Sequence, residues 1–189
     1  MLSIVFLALL VAGGFYWRNR LRETEPRRGM TEDEIKQQWR DLGFFCELDD
    51  VKKAWILTGS RAGLLFFPDL LLGYVADPSN EADGSQKQYD PYGSLKVMTW
   101  PEAGFGGNAI RGSHVALAHL AEIVDAKLAS ALAGDRLLIR DEYSATSPYS
   151  LILDVRADGF DPASKDREHL GAARDPAPKA SDKGTTPGK

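Results

Sequence analysis

Residues 55–60 read Trp-Ile-Leu-Thr-Gly-Ser and residues 108–113 read Asn-Ala-Ile-Arg-Gly-Ser, 53 positions later. Each stretch leads into a leucine-rich segment with helical spacing. Downstream, Asp90-Pro91-Tyr92-Gly93-Ser94-Leu95-Lys96-Val97 is matched by Ser147-Pro148-Tyr149-Ser150-Leu151-Ile152-Leu153. Both halves therefore read strand, Gly-Ser turn, helix, Pro-Tyr, strand. Similarity at a fixed spacing is the mark of a repeated supersecondary unit. It predicts two similar β-α-β halves side by side on one small mixed sheet, with two or three packed helices. A chance match over so few residues is the alternative.

The rest of the body fits an α+β class. Thr31 and Glu34 form a capping-box pattern opening a helix over 31–42, with Ile35, Trp39 and Leu42 on one face and Gly43 as its stop. Two short strands are expected at 44–48 and 54–58, and another at 95–100. Residues 61–76 read as one helix kinked at Pro68. Ser113 caps an amphipathic helix over 114–132, and strands at 136–140 and 149–155 complete the body. The segments 77–93 and 101–112 read as a loop and a glycine-rich connector.

Charge is unevenly distributed. Residues 1–29 carry five arginines against Glu23 and Glu25, net +3, while residues 30–160 carry 12 basic and 20 acidic side chains, net −8. An acidic body argues against nucleic-acid binding and suits either a cationic protein partner or a plain soluble surface.

Residues 1–17, MLSIVFLALLVAGGFYW, contain no charged side chain. As a helix they would span roughly 25 Å, against a hydrocarbon core of about 30 Å. Phe15, Tyr16 and Trp17 suit the interface, and the arginines after them predict a basic juxtamembrane tether over 18–29 that stays inside. The expected architecture is a single-pass transmembrane anchor in a bacterial inner membrane, N-terminus out. A globular domain over 30–160 would face the cytoplasm. A cleaved signal peptide ending near Ala12-Gly13-Gly14 and a start at Met30 are alternatives. The last segment, 161–189, has one leucine and no aromatic residue, and reads as a disordered tail.

No catalytic set emerges. Cys46 is the single cysteine and sits in an apolar run, so a buried inert thiol is expected. His114 and His119 are five apart on one helix and do not converge, so no metal or cofactor is expected. Ser60 and Ser113 each follow a glycine without the second glycine of a nucleophile elbow, and read as helix caps. Gly104-Phe105-Gly106-Gly107 lacks the lysine of a phosphate loop and reads as a connector. The candidate partner-binding residues are Tyr89, Asp90, Tyr92, Asp141, Tyr143 and Tyr149, where tyrosines sit beside carboxylates as in protein-recognition patches. Core packing is the alternative for these tyrosines.

The run Gly59-Ser60-Arg61-Ala62-Gly63-Leu64-Leu65, with Leu70-Leu71-Leu72 and then Tyr89-Asp90-Pro91 leading into Ser94–Val97, resembles small α+β immunity proteins of bacterial polymorphic-toxin systems. The resemblance covers about 40 residues, and Gln88 and Tyr89 stand where those proteins carry histidines. It implies a non-enzymatic protein that binds and neutralises a toxin. An accessory or structural protein of the envelope, or a small enzyme with a site scattered over loops, are the other readings.

Overall fold

In the computed structural model, residues 30–166 are described. They form eight strands, β1 (Phe45–Asp49), β2 (Ala54–Ser60), β3 (Gln86–Gln88), β4 (Lys96–Thr99), β5 (Gly104–Phe105), β6 (Ile110–Gly112), β7 (Arg136–Ile139) and β8 (Ser150–Arg156). The helices are α1 (Glu32–Leu42), α2 (Arg61–Leu64), α3 (Phe66–Val75), α4 (His114–Ala129) and α5 (Asp141–Ser144), with a 3-10 turn at Pro78–Asn80.

The α+β class is as expected, but the single sheet is corrected to two. Sheet A runs β1-β2-β8-β7 and sheet B runs β3-β4-β6-β5. Sequence reading missed β3 and β5, and reached β6 only through the repeat, because strands of two or three residues show no usable alternation. The transmembrane part of the expected fold is corrected too. Among the described residues no helix is long and apolar enough to cross a membrane. The segments that suggested a single-pass, cytoplasm-facing membrane protein, 1–17 and 18–29, lie outside the described residues, as does 167–189. The packed body extends past 160: Arg40 Nη2 meets Asp161 Oδ2 at 2.8 Å, and Ala163 and Asp166 are buried.

The two sheets share one internal plan. In each, two antiparallel hairpins are joined through a parallel central pair. The units are β1-β2-α2-α3-β3-β4 and β5-β6-α4-β7-β8, and each gives one hairpin to each sheet. The registers agree residue by residue. Leu57 pairs with Leu153 and Gly59 with Val155, while Ile110 pairs with Val97 and Gly112 with Thr99. Cys46 lies opposite Leu57 as Phe105 lies opposite Ile110.

The same hydrogen bonds recur at the edges. Gly84 N–H donates to Thr99 O and Thr99 N–H to Ser85 O, both at 2.9 Å. Gly134 N–H donates to Val155 O at 2.8 Å and Val155 N–H to Asp135 O at 2.9 Å. Both glycines adopt positive φ, 85° and 100°, which a side chain would resist. Ser60 Oγ accepts from Gly63 N–H and Ser113 Oγ from Ala116 N–H, capping α2 and α4 alike. The repeat read from sequence is thus present as a ββαββ duplication whose units interlock, because neither can complete a sheet alone.

One hydrophobic cluster fills the interior, with Trp39, Trp55, Tyr74, Phe44, Phe67 and Phe105 among its largest members. The first unit's helix breaks at Leu65, three residues before the expected kink. Pro68 then occupies the first turn of α3, where its missing N–H removes no helical hydrogen bond. α2 can start close to the end of α1 only because residue 63 is glycine: a Cβ there would lie 2.1 Å from Gly43 O. α1 keeps its capping box and places Trp39 over β1, with ring centroids of Trp39 and Phe45 4.6 Å apart.

Candidate functional site

The six candidate residues fall in two equivalent connections, 89–95 between β3 and β4 and 140–149 between β7 and β8. Asp90 is fully buried; Oδ1 accepts from Leu95 N–H at 2.6 Å and Oδ2 from the Ser94 hydroxyl at 2.7 Å, closing the turn. Tyr89 is buried, and the Tyr92 hydroxyl donates to Asp166 while its ring lies 5.9 Å from that of Trp39. Asp141 is exposed at the start of α5. Tyr143 is buried against Phe105 and donates to Arg111 O at 2.6 Å, and burial pushes its phenol well above the usual range. The Tyr149 hydroxyl donates to Asp50 Oδ1 at 2.6 Å and accepts from Lys53 Nζ at 3.1 Å. That hydrogen bond holds the Lys53 pKa above its ordinary value. The two sets stay apart and each reaches across to the other sheet: Tyr92 packs on Trp39 over sheet A, and Tyr143 on Phe105 of sheet B.

Around Tyr149 the β1–β2 turn forms an ordered tip. Asp49 Oδ1 accepts from the N–H groups of Val51 and Lys52, at 3.0 and 2.8 Å, and Val51 at the apex is 95% exposed. The remaining motifs take structural places. Cys46 is buried, and burial together with the Asp90 and Glu47 charges raises its pKa, which suppresses the thiolate. His114 Nε2 lies 2.9 Å from Asn80 O and His119 faces Glu122. Gly104-Phe105 is a strand and Gly106 O accepts from the Trp55 indole at 2.8 Å, so this glycine run presents a carbonyl there. Among the described residues no group of His, Cys, Asp or Glu is arranged to hold a metal ion.

A different surface stands out in the structure. Val97, Ile110 and Phe105 of sheet B point into the core, fully buried. Strand alternation then turns Lys96, Met98 and Trp100 outward, beside Arg111 and Gln86 in register. The register row Gln86–Met98–Arg111–Gly104 and the adjoining pair Gln88–Lys96 contain no carboxylate. Trp100 is 37% exposed. Arg111 lies partly over Gly104, where a Cβ would sit 3.5 Å from its Nε, and that Nε is buried without a hydrogen-bond partner. Among the described residues, the side chains of Lys96 and Arg111 make no ion pair.

The equivalent face of sheet A is closed. Phe45 and Thr58 are each 3% exposed there, and Phe45 lies under Trp39 of α1. The second unit has no counterpart of α1, because only four residues, 100–103, join β4 to β5. Sequence reading placed a strand at 95–100 but could not identify this face. Lys-Val-Met-Thr-Trp has apolar residues on both sides of the strand, so alternation alone does not say which side is buried.

No protein-family model, curated protein or solved structure matches the chain.

Proposed function

We propose that this is a non-enzymatic protein-binding domain that docks its partner on the outer face of sheet B. The observation that carries the reading is Arg111 and Trp100 on one outer face: a half-buried guanidinium without an ion pair among the described residues, and an indole that is 37% exposed. With Nε enclosed, a partner reaches the half-buried guanidinium through its terminal N–H groups, where a hydrogen bond to a charged acceptor is worth about 1.5–3 kcal/mol. Trp, Arg and Met are also the residues enriched at interface centres, whereas scattered exposed aliphatics are ordinary. The acidic remainder of the body suits a cationic partner. The docking face has the opposite sign, and it favours a partner with carboxylates at the point of contact.

Neutralising a toxin is the form of this activity that the immunity-protein resemblance over 59–97 supports. The test is affinity capture from native extract with wild-type protein, Trp100→Ala and the distant Val51→Ser. A stoichiometric partner retained by wild type and Val51→Ser but lost by Trp100→Ala, with unchanged circular dichroism, is the expected result. Equal retention by all three would remove sheet B as the docking face.

A further inference from the structure

Resting on that protein-binding reading, we infer that the occupant of the outer face of sheet B is a helical protein segment presenting carboxylates, laid across it as α1 lies across sheet A. Two observations carry this. The first is charge: in a body of net −8, this face sets Lys96 and Arg111 among neutral residues, with no ion pair from either among the described residues. An arginine held on a strand by packing over Gly104 is preorganised, since its fork of donors matches a carboxylate and little freedom is lost on binding.

The second is internal equivalence. Arg111 occupies on sheet B the register position of Thr58 on sheet A, and Gly104 that of Phe45. On sheet A the Phe45 end of that row is covered by a helix, α1, whose buried stripe is Ile35, Trp39 and Leu42 and whose Trp39 ring lies 4.6 Å from that of Phe45. The duplicated backbone thus already carries one helix in this place, in cis. Among the described residues sheet B repeats the strands without the helix, and its two cations, Lys96 and Arg111, select an acidic helix for that place.

The probe is a blocked peptide of residues 30–43, which has the apolar stripe and four carboxylates, together with a version in which those four acids are amides. Both are titrated into the full chain and followed by amide chemical shifts. The acidic peptide should perturb Lys96, Met98, Trp100 and Arg111. Its affinity should fall at least tenfold in the amide version and in Arg111→Gln, and about threefold in Lys96→Gln, a peripheral change with unaltered circular dichroism. Equal affinity of the two peptides, shifts confined to other surfaces, or no shifts would overturn the inference. The captured partner separates the two levels. Retention by Arg111→Gln with loss by Trp100→Ala sinks the carboxylate requirement alone, and retention by both sinks the docking face as well.

Discussion

The first and second ββαββ units agree in everything that pairs backbone to backbone and differ in what covers them. Central registers, edge hydrogen bonds, left-handed glycines and serine caps recur. Above that common frame, sheet A carries α1, while among the described residues no helix covers the outer face of sheet B. Backbone groups buried in a sheet must find partners, so drift in the strands is costly on both sides. Outward-facing side chains carry no such obligation, and that is where one unit gained a cover and the other an exposed tryptophan and a half-buried arginine.

The largest effect should come from breaking the close approach that only the first unit has. Gly63→Ala forces a Cβ to 2.1 Å from Gly43 O, whereas the equivalent position in the second unit already holds Ala116. Overpacking against backbone with no room to yield should cost on the order of 4 kcal/mol. Ala116→Gly should cost only about 1 kcal/mol through helix propensity. Urea denaturation of the two variants measures the contrast, and similar losses would mean that the two junctions are equivalent after all.

Next in size is the contrast between the covered and the open sheet. Trp39→Ala removes a fully buried indole from the face of sheet A and should cost about 3–5 kcal/mol, measured as a lower denaturation midpoint. Trp100→Ala on sheet B should change stability by less than about 1 kcal/mol while abolishing partner capture. A stability loss for Trp100→Ala as large as that for Trp39→Ala would make Trp100 a core residue and leave sheet B without a docking role.

The caps should behave alike. Ser60→Ala and Ser113→Ala each remove one acceptor for a first-turn N–H and should each cost about 1 kcal/mol. A threefold difference in the thermal unfolding free energies would show that packing around the caps, rather than the caps, sets their worth.

The smallest effect concerns the acids on the paired helices of the two units. Burial raises the Asp69 carboxyl, and burial together with the Asp69 charge raises that of Asp125. A carboxyl with a raised folded-state pKa weakens the fold once ionised, and the penalty disappears as pH falls through that pKa toward the ordinary Asp value of about 3.9. Asp125→Asn should therefore raise the melting temperature at pH 7 by about 1 °C, screened as these groups are by solvent. The difference should close below about pH 4. A variant that melts lower than wild type at pH 7 would reverse the sign.

Much of this could be read in advance. Thr31 and Glu34 fixed the start of α1, Ser60 and Ser113 the starts of α2 and α4, and the Gly-Ser and Pro-Tyr echoes showed the duplication. These signals are local, since a cap or a turn is decided by residues within one turn of chain. The six tyrosine and aspartate candidates were legible as residues but not in their surroundings: Asp90 closes a buried turn and Tyr143 braces β6.

From the sequence alone came the α+β class, the repeated strand-helix-strand order and the buried cysteine, each a matter of residue type and spacing. Tertiary structure alone decided that the repeats interlock into two sheets and that sheet A is covered while the outer side of sheet B presents Trp100 and Arg111. Strand pairing and coverage join residues far apart in the chain. Their free energy depends on which surfaces meet, and nothing local in Lys96–Trp100 records that.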